Sequence, residues 1–303
     1  MQRLVGPLGA LGAVVQVGAD GRPPVTVGGA VLRGAAVKVR EASAQVRSAV
    51  AFAAVQAESS SSIASPPGFR DHTERWLEAM GLGRRLGETR FLVLPGPVPP
   101  AAYPIPGDFS SAAFLLAAAA LRPGAEVTVR GVTLNPGRTG FLEVVEAMGA
   151  RVVRNATGLV HGDPVGDVTV TGATLRPTCV GGPLAVRALD ELPLLAILGA
   201  AAEGETVVAG AGELRLKEGD RVVAVTRLLR ALGGEAEERP DGFVVTGRGS
   251  LRGGVVEARG DHRIAMAGAV AAVAARGEVA VEGLEAVSVS WPGFAEALEG
   301  LWS

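Results

Sequence analysis

Apolar positions recur with helical spacing in five similar segments of this chain, and each segment ends at a glycine. These glycines are Gly12, Gly81, Gly149, Gly233 and Gly300, and they are separated by 69, 68, 84 and 67 residues. Glycine is favoured at such positions because it adopts the left-handed conformation that ends many helices. The pattern therefore predicts amphipathic helices that recur roughly every 70 residues.

A second kind of predicted helix is rich in Ala and Leu and lies between these copies, at residues 48–57, 112–121, 192–202 and 265–275. Segments that are apolar on all faces are typical of buried helices. Three of them are followed by a glycine turn and an alternating strand, at 124–129, 204–208 and 277–281. The chain is therefore expected to be an α+β protein built from repeated units.

The strongest linker signal is residues 95–106, which contain six prolines. It predicts one domain at 1–106 and a second at 107–303. Amphipathic and buried helices alternate, yet the first amphipathic helix has no buried helix before it. We therefore expect the first domain to be incomplete, and we expect its exposed core to favour self-association.

Composition excludes several classes of protein. The net charge of −2 argues against nucleic acid as a partner. The longest apolar runs, 112–121 and 264–275, contain 10 and 12 residues and are too short to cross a membrane. Cys179 is the one cysteine, which excludes a disulfide scaffold and indicates a reducing cytoplasm. Its neighbours predict a buried thiol rather than a nucleophile.

Two short segments, residues 216–221 and 260–263, place basic side chains beside groups that can move protons. Lys38 and Lys217 are the only lysines among 29 basic residues, and Lys217 lies within the first segment. Lysine is a compact charge with a tunable pKa, whereas arginine is not. Such a pattern favours acid–base chemistry on a substrate that bears phosphate and carboxylate groups.

Polar residues also precede each predicted buried helix: Ser43 and Gln45; Asp108, Ser110 and Ser111; Asp190 and Glu191; and Asp261, His262 and Arg263. Ser and Asp at such positions are ordinary N-caps, which is our interpretation of the second group. Several helix N-termini that face one cleft would instead form an anion site. We found neither metal-ligand spacing nor a glycine-rich nucleotide loop, so no metal and no cofactor are expected.

Residues 214–221 (LRLKEGDR) and 260–266 (GDHRIAM) resemble signatures of the 5-enolpyruvylshikimate-3-phosphate synthase family, also called 3-phosphoshikimate 1-carboxyvinyltransferases. Further similar segments occur in the family's order, at 43–49, 107–112, 134–136, 190–193 and 290–294. The resemblance implies the enolpyruvyl transferase fold, in which two domains built from β-α-β-α-β-β units close on the substrates. It places shikimate 3-phosphate on the side of residues 1–106 and phosphoenolpyruvate on the side of 107–303.

The activity implied by the resemblance is transfer of the enolpyruvyl group of phosphoenolpyruvate to the 5-hydroxyl of shikimate 3-phosphate, with release of phosphate. This is a cytoplasmic step of the shikimate pathway to aromatic amino acids. The implied catalytic residues are Asp190 and Glu218. The implied substrate-binding residues are Ser43, Gln45, Ser65, Lys217, Arg221 and Arg263, to which we add His262 because it stands between Asp261 and Arg263.

The sequence departs from the family pattern at its start, because members normally carry about 120 further N-terminal residues with several substrate contacts. We therefore expect this segment to be missing here. Two alternative functions follow. One is a non-catalytic fragment that folds and binds anions or a partner. The other is a UDP-N-acetylglucosamine enolpyruvyl transferase, although such enzymes carry a reactive cysteine loop and lack the Asp-His-Arg sequence found at 261–263.

Overall fold

The computed structural model describes residues 1–40, 43–67 and 70–302, which form two compact units. Unit 1 comprises Met1–Ile105 and Leu159–Pro164, and unit 2 comprises Pro106–Gly158 and Val165–Ser303. Residues 159–164 thus group with the first unit and not, as the division at 107 assumed, with the second. The reason is aromatic packing, since the ring of His161 lies 4.4 Å from that of Trp76 and 5.0 Å from that of Tyr103.

Unit 1 contains one complete set of elements in the order β-α-β-α-β-β. These are β3 (Ala36–Lys38), α2 (Ala44–Val55), β4 (Ser61–Ala64), α3 (His72–Ala79), β5 (Gly83–Arg85) and β6 (Arg90–Val93). The sheet order is β3-β4-β6-β5, with β3 and β4 parallel and the other pairs antiparallel.

The complete set is preceded by α1 (Gln2–Ala10) and by a two-stranded antiparallel hairpin, β1 (Val14–Val17) and β2 (Val25–Gly28). The helix packs against α2, and its partly buried Leu4 and Leu8 join the core of the unit. The hairpin is open to solvent, since Val14 is 54% exposed and Val27 is 66% exposed.

Unit 2 repeats the same order of elements. Its first copy contains α4 (Phe109–Ala120), β7 (Glu126–Thr133), α5 (Gly140–Ala147), β8 (Arg151–Val160) and β9 (Asp163–Thr171). A parallel bridge between Gly107 and Val132 supplies the place of its first strand. The strand order β7-β9-β8 matches that of the last three strands of the sheet in unit 1.

The second copy has sheet order β10-β11-β13-β12, with one additional short helix. Its elements are β10 (Cys179–Val180), α6 (Gly182–Arg187), α7 (Leu192–Ala201), β11 (Glu203–Val208), α8 (Arg221–Ala231), β12 (Glu235–Arg239) and β13 (Gly242–Arg248). The third copy contains β14 (Gly254–Glu257), α9 (His262–Ala271), β15 (Val279–Glu282) and α10 (Phe294–Glu299), with β14 and β15 parallel. The predicted α+β fold of repeated units is confirmed.

The Ala- and Leu-rich helices α4, α7 and α9 pack against one another in the core of unit 2. In α7 every residue from Leu192 to Ala200 is buried. Small and aliphatic side chains on all faces allow this, because no face requires water. The three helices correspond to the predicted buried segments, which confirms that part of the sequence interpretation. Their N-terminal ends carry the polar residues considered below.

One expectation about the interior is wrong, since the side chain of Cys179 is exposed. It lies on the two-residue strand β10, where successive side chains point to opposite faces. Val180 occupies the buried face at 3% exposure, which leaves Cys179 on the other. Within the residues that the structure describes, no helix is long and apolar enough to span a membrane.

A glycine in β13 tests how closely strand and helix pack in this fold. A Cβ atom at Gly247 would lie 2.1 Å from the carbonyl oxygen of Gly199 and 2.2 Å from that of Ala202, at the end of α7. Because both neighbours are backbone atoms, Gly247→Ala is expected to lower the free energy of unfolding by about 1–3 kcal/mol in urea denaturation. At Gly158 a Cβ atom would meet nothing within 4 Å, so Gly158→Ala is the control. Equal losses in both variants would contradict this packing.

Candidate active site

The candidate site of unit 2 lies where several helices begin. Asp108 caps α4 by accepting hydrogen bonds from the backbone N–H groups of Ser110 and Ser111, at 3.3 and 3.1 Å. Asp261 caps α9 in the same way, with Arg263 and Ile264 as donors at 2.9 and 3.4 Å. The capping interpretation of Asp108 is thereby confirmed. Helix N-termini carry partial positive charge and favour anions, so this end of the unit suits negatively charged groups.

Asp190 lies in a short helical turn directly before α7 and is the centre of the site. Among the residues that the structure describes, four cationic side chains lie within 4 Å of its carboxylate. Arg138 donates a hydrogen bond to Oδ2 at 3.1 Å, and Lys217 lies 3.5 Å from Oδ1. Arg221 approaches Oδ1 to 3.8 Å, and Arg263 approaches Oδ2 to 3.9 Å. Charges of opposite sign at these distances stabilise the ionised form of the carboxylate.

The guanidinium of Arg221 is the most buried of these cations, with only 1% of its side chain exposed. Its Nε and Nη2 atoms donate to Asp261 at 2.8 and 3.2 Å, and Nη2 also donates to Glu218 at 2.5 Å. Burial acts to raise the pKa of Asp261, but Arg221 and the two capping N–H groups outweigh it and hold that pKa low. Arg221 therefore connects the two sequence segments that the motifs singled out.

Glu218 and His262 form the open side of the site. The side chain of Glu218 is 48% exposed although Arg221 holds one of its oxygens. Burial and the nearby charge of Arg263 lower the pKa of His262, which favours the neutral imidazole. A half-exposed carboxyl group that an arginine holds in place can deliver a proton when protonated and recover it as a carboxylate. A neutral imidazole can donate or accept a hydrogen bond.

Glu191 lies beneath the site, and 1% of the residue is exposed. It accepts a hydrogen bond from the Ser110 hydroxyl, and its Oε1 atom lies 3.8 Å from Arg263. Burial raises the pKa of Glu191, although Arg138 and Arg263 act in the opposite direction. The adjacent carboxylates Asp190 and Glu191 thus occupy different environments, one among cations and one in the interior.

The other three sequence-predicted residues, Ser43, Gln45 and Ser65, belong to unit 1. Ser43 caps α2 by accepting a hydrogen bond from Val46 at 3.4 Å and donates to Gln45 at 3.3 Å. Ser65 accepts a hydrogen bond from the buried guanidinium of Arg47. Gln45 is exposed, whereas Ser43 and Ser65 are buried.

The structure thus brings together six predicted residues in unit 2: Asp190, Lys217, Glu218, Arg221, His262 and Arg263. Sequence reasoning missed Arg138, which joins them through Asp190. It also missed Arg47, which pairs with Glu74 in unit 1. The one signal for Arg138 is its place after the Asn-Pro-Gly turn at 135–137. Among the residues described, no cluster of His, Cys, Asp or Glu could hold a metal ion.

Comparison with known sequences identifies close relatives. A family model described as EPSP synthase (3-phosphoshikimate 1-carboxyvinyltransferase) matches residues 1–298. A protein of Syntrophomonas wolfei subsp. wolfei named 3-phosphoshikimate 1-carboxyvinyltransferase is 42% identical, and the alignment covers 100% of this chain and 72% of that protein.

Solved structures are similar over the same extent. EPSP synthase from Acinetobacter baumannii matches with a TM-score of 0.87 at 35% identity, over 99% of this chain and 70% of that one. The enolpyruvyl transferase NikO from Streptomyces tendae matches with a TM-score of 0.75 at 18% identity, again over 99% and 70%. The first supports both fold and family, whereas the second shows the fold alone. The expected enolpyruvyl transferase fold is confirmed.

The matches do not support the narrower expectation that about 120 N-terminal residues are missing. They cover nearly the whole of this chain and about 70% of each relative's length, which leaves the position of the unmatched part open.

The buried pair of Arg221 and Asp261 yields a stability prediction. Asp261→Asn keeps a capping side chain but removes the charge that faces Arg221, and it should lower the free energy of unfolding by about 3–5 kcal/mol near neutral pH. The folded pKa of Asp261 is lowered, so its contribution is complete above the unfolded pKa and is lost as the pH falls through the folded value. The difference from wild type should therefore shrink below roughly pH 4.

The control for this prediction is the exposed pair of Glu237 and Arg239. Glu237→Gln should change the free energy of unfolding by no more than about 0.5 kcal/mol. Denaturant titrations from acid to neutral pH measure both variants. A difference between wild type and Asp261→Asn that is independent of pH would contradict the pairing.

Proposed function

Because this chain belongs to the EPSP synthase (3-phosphoshikimate 1-carboxyvinyltransferase) family, we propose that it transfers the enolpyruvyl group of phosphoenolpyruvate to the 5-hydroxyl of shikimate 3-phosphate and releases phosphate. The observation that carries this proposal is the surrounding of Asp190 by four cations, with Glu218 held beside them by Arg221. Two carboxylates in different environments and several fixed cations suit a proton-managed addition to an anionic substrate.

The cationic side chains around Asp190 differ in how far they are exposed to solvent. The side chains of Lys217 and Arg263 are 19% and 14% exposed, compared with 1% for Arg221, so these two are more open to phosphate and carboxylate oxygens. Arg221 is enclosed and already holds Asp261 and Glu218, so its contact with phosphoenolpyruvate would run through Nη1, the atom that faces Asp190. In this proposal Arg221 and Arg263 bind phosphoenolpyruvate, and Lys217 contacts shikimate 3-phosphate. Arginine suits both anionic groups because it can donate two parallel hydrogen bonds.

Shikimate 3-phosphate would be bound in part by unit 1. Ser43, Gln45 and Ser65 are the proposed contacts there. Ser65 accepts a hydrogen bond from Arg47, so its own hydroxyl proton is available for a phosphate oxygen. In this proposal, residues 1–106 supply the side that binds shikimate 3-phosphate, and residues 107–303 supply the side that binds phosphoenolpyruvate. His262, with a lowered pKa, would donate a hydrogen bond to bound substrate as a neutral imidazole.

The proposed reaction has two steps. In the first, Glu218 gives a proton to the methylene carbon of phosphoenolpyruvate, the 5-hydroxyl oxygen attacks the neighbouring carbon, and the hydroxyl proton passes to Asp190. In the second, the new methyl group returns a proton to Glu218, the carbon–carbon double bond forms again, and the carbon–oxygen bond to phosphate breaks. The proton held by Asp190 passes to the departing phosphate, so both carboxyl groups return to their starting states. Asp190 must begin as a carboxylate, which its four cationic neighbours favour.

Phosphate release tests this function. The 303-residue chain, supplied with phosphoenolpyruvate, should release phosphate with shikimate 3-phosphate and not with UDP-N-acetylglucosamine. Glu218→Gln and Asp190→Asn each remove a proton-transfer group, and each should lower kcat by roughly 10²–10⁴-fold.

The matched controls are Glu237→Gln and Asp167→Asn, which make the same chemical changes outside the site. Wild-type turnover in Glu218→Gln or Asp190→Asn would remove that residue from the mechanism. Release with neither acceptor would instead favour the non-catalytic alternative, and release with the nucleotide sugar alone would favour the other transferase.

One narrower expectation, the cytoplasmic location, stays a prediction, and the single cysteine supports it.

We also propose that unit 1 mediates self-association with a second copy of this chain. Its β1–β2 hairpin exposes Val14 and Val27, and paired β-strands with apolar side chains are a common surface for association. Sedimentation velocity should therefore detect a dimer or larger species, and Val27→Glu should shift it toward monomer. Val255→Glu, at a half-exposed position of unit 2, is the control. A monomeric wild-type chain at all concentrations would refute the proposal.

A further inference from the structure

Arg138 bridges two carboxylates of the candidate site. Its Nη1 atom donates to Oδ2 of Asp190 at 3.1 Å, and its Nη2 atom donates to Oδ1 of Asp108 at 2.9 Å. Only 8% of Arg138 is exposed. Burial acts to lower the pKa of Arg138, but Glu191 and Asp108 outweigh it and raise that pKa, so the guanidinium stays charged.

The backbone that carries Arg138 is fixed by a tight turn. The side-chain Oδ1 of the buried Asn135 accepts a hydrogen bond from the N–H of Gly137 at 2.8 Å. The backbone carbonyl of Asn135 accepts one from the N–H of Arg138, also at 2.8 Å. The hydroxyl of Thr139 also donates to that carbonyl, at 3.2 Å. Both ends of the Arg138 side chain are therefore anchored, at the turn and at the cap of α4.

The two oxygens of Asp190 have different surroundings. Oδ2 receives the directional hydrogen bond from Arg138, with Arg263 farther away at 3.9 Å. Oδ1 faces Lys217 at 3.5 Å and Arg221 at 3.8 Å, distances that are ion pairs rather than hydrogen bonds. Of these four cations, Arg138 is thus the one that gives the carboxylate of Asp190 a directional hydrogen bond at normal length.

We propose that Arg138 is a positioning residue, which holds the carboxylate of Asp190 in the orientation in which it receives the proton of the substrate hydroxyl. The inference rests on the proposed function. The distinction from Lys217 and Arg263 is physical. Arg138 donates hydrogen bonds to two protein carboxylates, at 2.9 and 3.1 Å, and keeps its charge beside Asp190 throughout. Lys217 and Arg263 approach the carboxylate of Asp190 only to 3.5 and 3.9 Å, and they would pair with substrate anions during the reaction.

The test needs three variants. Arg138→Gln removes the charge, and Arg138→Lys keeps a charge but replaces the two-ended guanidinium with a single ammonium. Arg154→Gln is the control, because it removes an exposed arginine that pairs with Glu146 away from the site. Thermal unfolding establishes that each variant is folded, and Arg138→Lys keeps the test decisive if Arg138→Gln does not fold.

Two readouts separate this inference from the proposed function. The first is the pKa of Asp190, followed by the ¹³C signal of its carboxylate and assigned with Asp190→Asn; it requires no turnover. The charged groups that face this carboxylate include Arg138, Lys217, Arg221 and Arg263, and Glu191 is adjacent in sequence. Loss of the Arg138 charge should raise the pKa of Asp190 in Arg138→Gln.

The second readout is steady-state kinetics across pH. Arg138→Gln should lower kcat by roughly 10- to 100-fold with little change in KM, and the acid limb of kcat should move to higher pH. Arg138→Lys should restore most of the acid limb while kcat stays reduced, because orientation is lost but charge is kept. Arg154→Gln should match wild type in every respect.

Each result decides one of the two claims. An unchanged pKa of Asp190 in Arg138→Gln overturns the positioning role, whether or not the enzyme turns over. A raised pKa with wild-type kcat, or a change in KM alone, overturns it as well. Absence of phosphate release by the wild-type chain refutes the proposed function. Phosphate release and the carboxylate titration are separate experiments, so the two failures can be told apart.

Discussion

The ion-pair network around Asp190 and Arg221 is the constraint on which the candidate site depends. A charged group that loses contact with water is costly unless it is paired and hydrogen-bonded. Arg221, at 1% exposure, is tolerated because Asp261 and Glu218 surround it. Neither the guanidinium of Arg221 nor the carboxylate of Asp261 could be buried here without the other, so each of these side chains fixes the position of its partner.

The helices explain why the charges gather at one end. Beyond their first turns, the core helices α4 and α7 carry only apolar side chains. Their N-terminal turns are the places where backbone N–H groups need acceptors, and carboxylates supply them. Asp108 and Asp261 meet this need and also pair with Arg138 and Arg221. Secondary structure and site electrostatics therefore share the same residues.

Hydrophobic patterning was sufficient to predict the repeated units and the buried helices, because periodicity is local information. The six site residues that were predicted in unit 2 were identified from two motifs and a family resemblance. Arg138 could not be found in this way, since its contact with Asp190 joins positions that are 52 residues apart. Cys179 was misjudged because a two-residue strand leaves the choice of face to tertiary packing. The grouping of residues 159–164 with unit 1 depends on the packing of His161 against Trp76, which local pattern does not encode.

The prior pairing of the cations has a consequence for selectivity among anions. Arg221 and Arg263 already contact protein carboxylates, so an incoming anion gains only the difference between its own pairing and the pairing that it replaces. A spherical ion such as chloride cannot match the planar geometry of a carboxylate and gains little from the exchange. A ligand with several correctly spaced oxygens gains at each position. The site therefore discriminates by the arrangement of charge on its ligand more than by the amount.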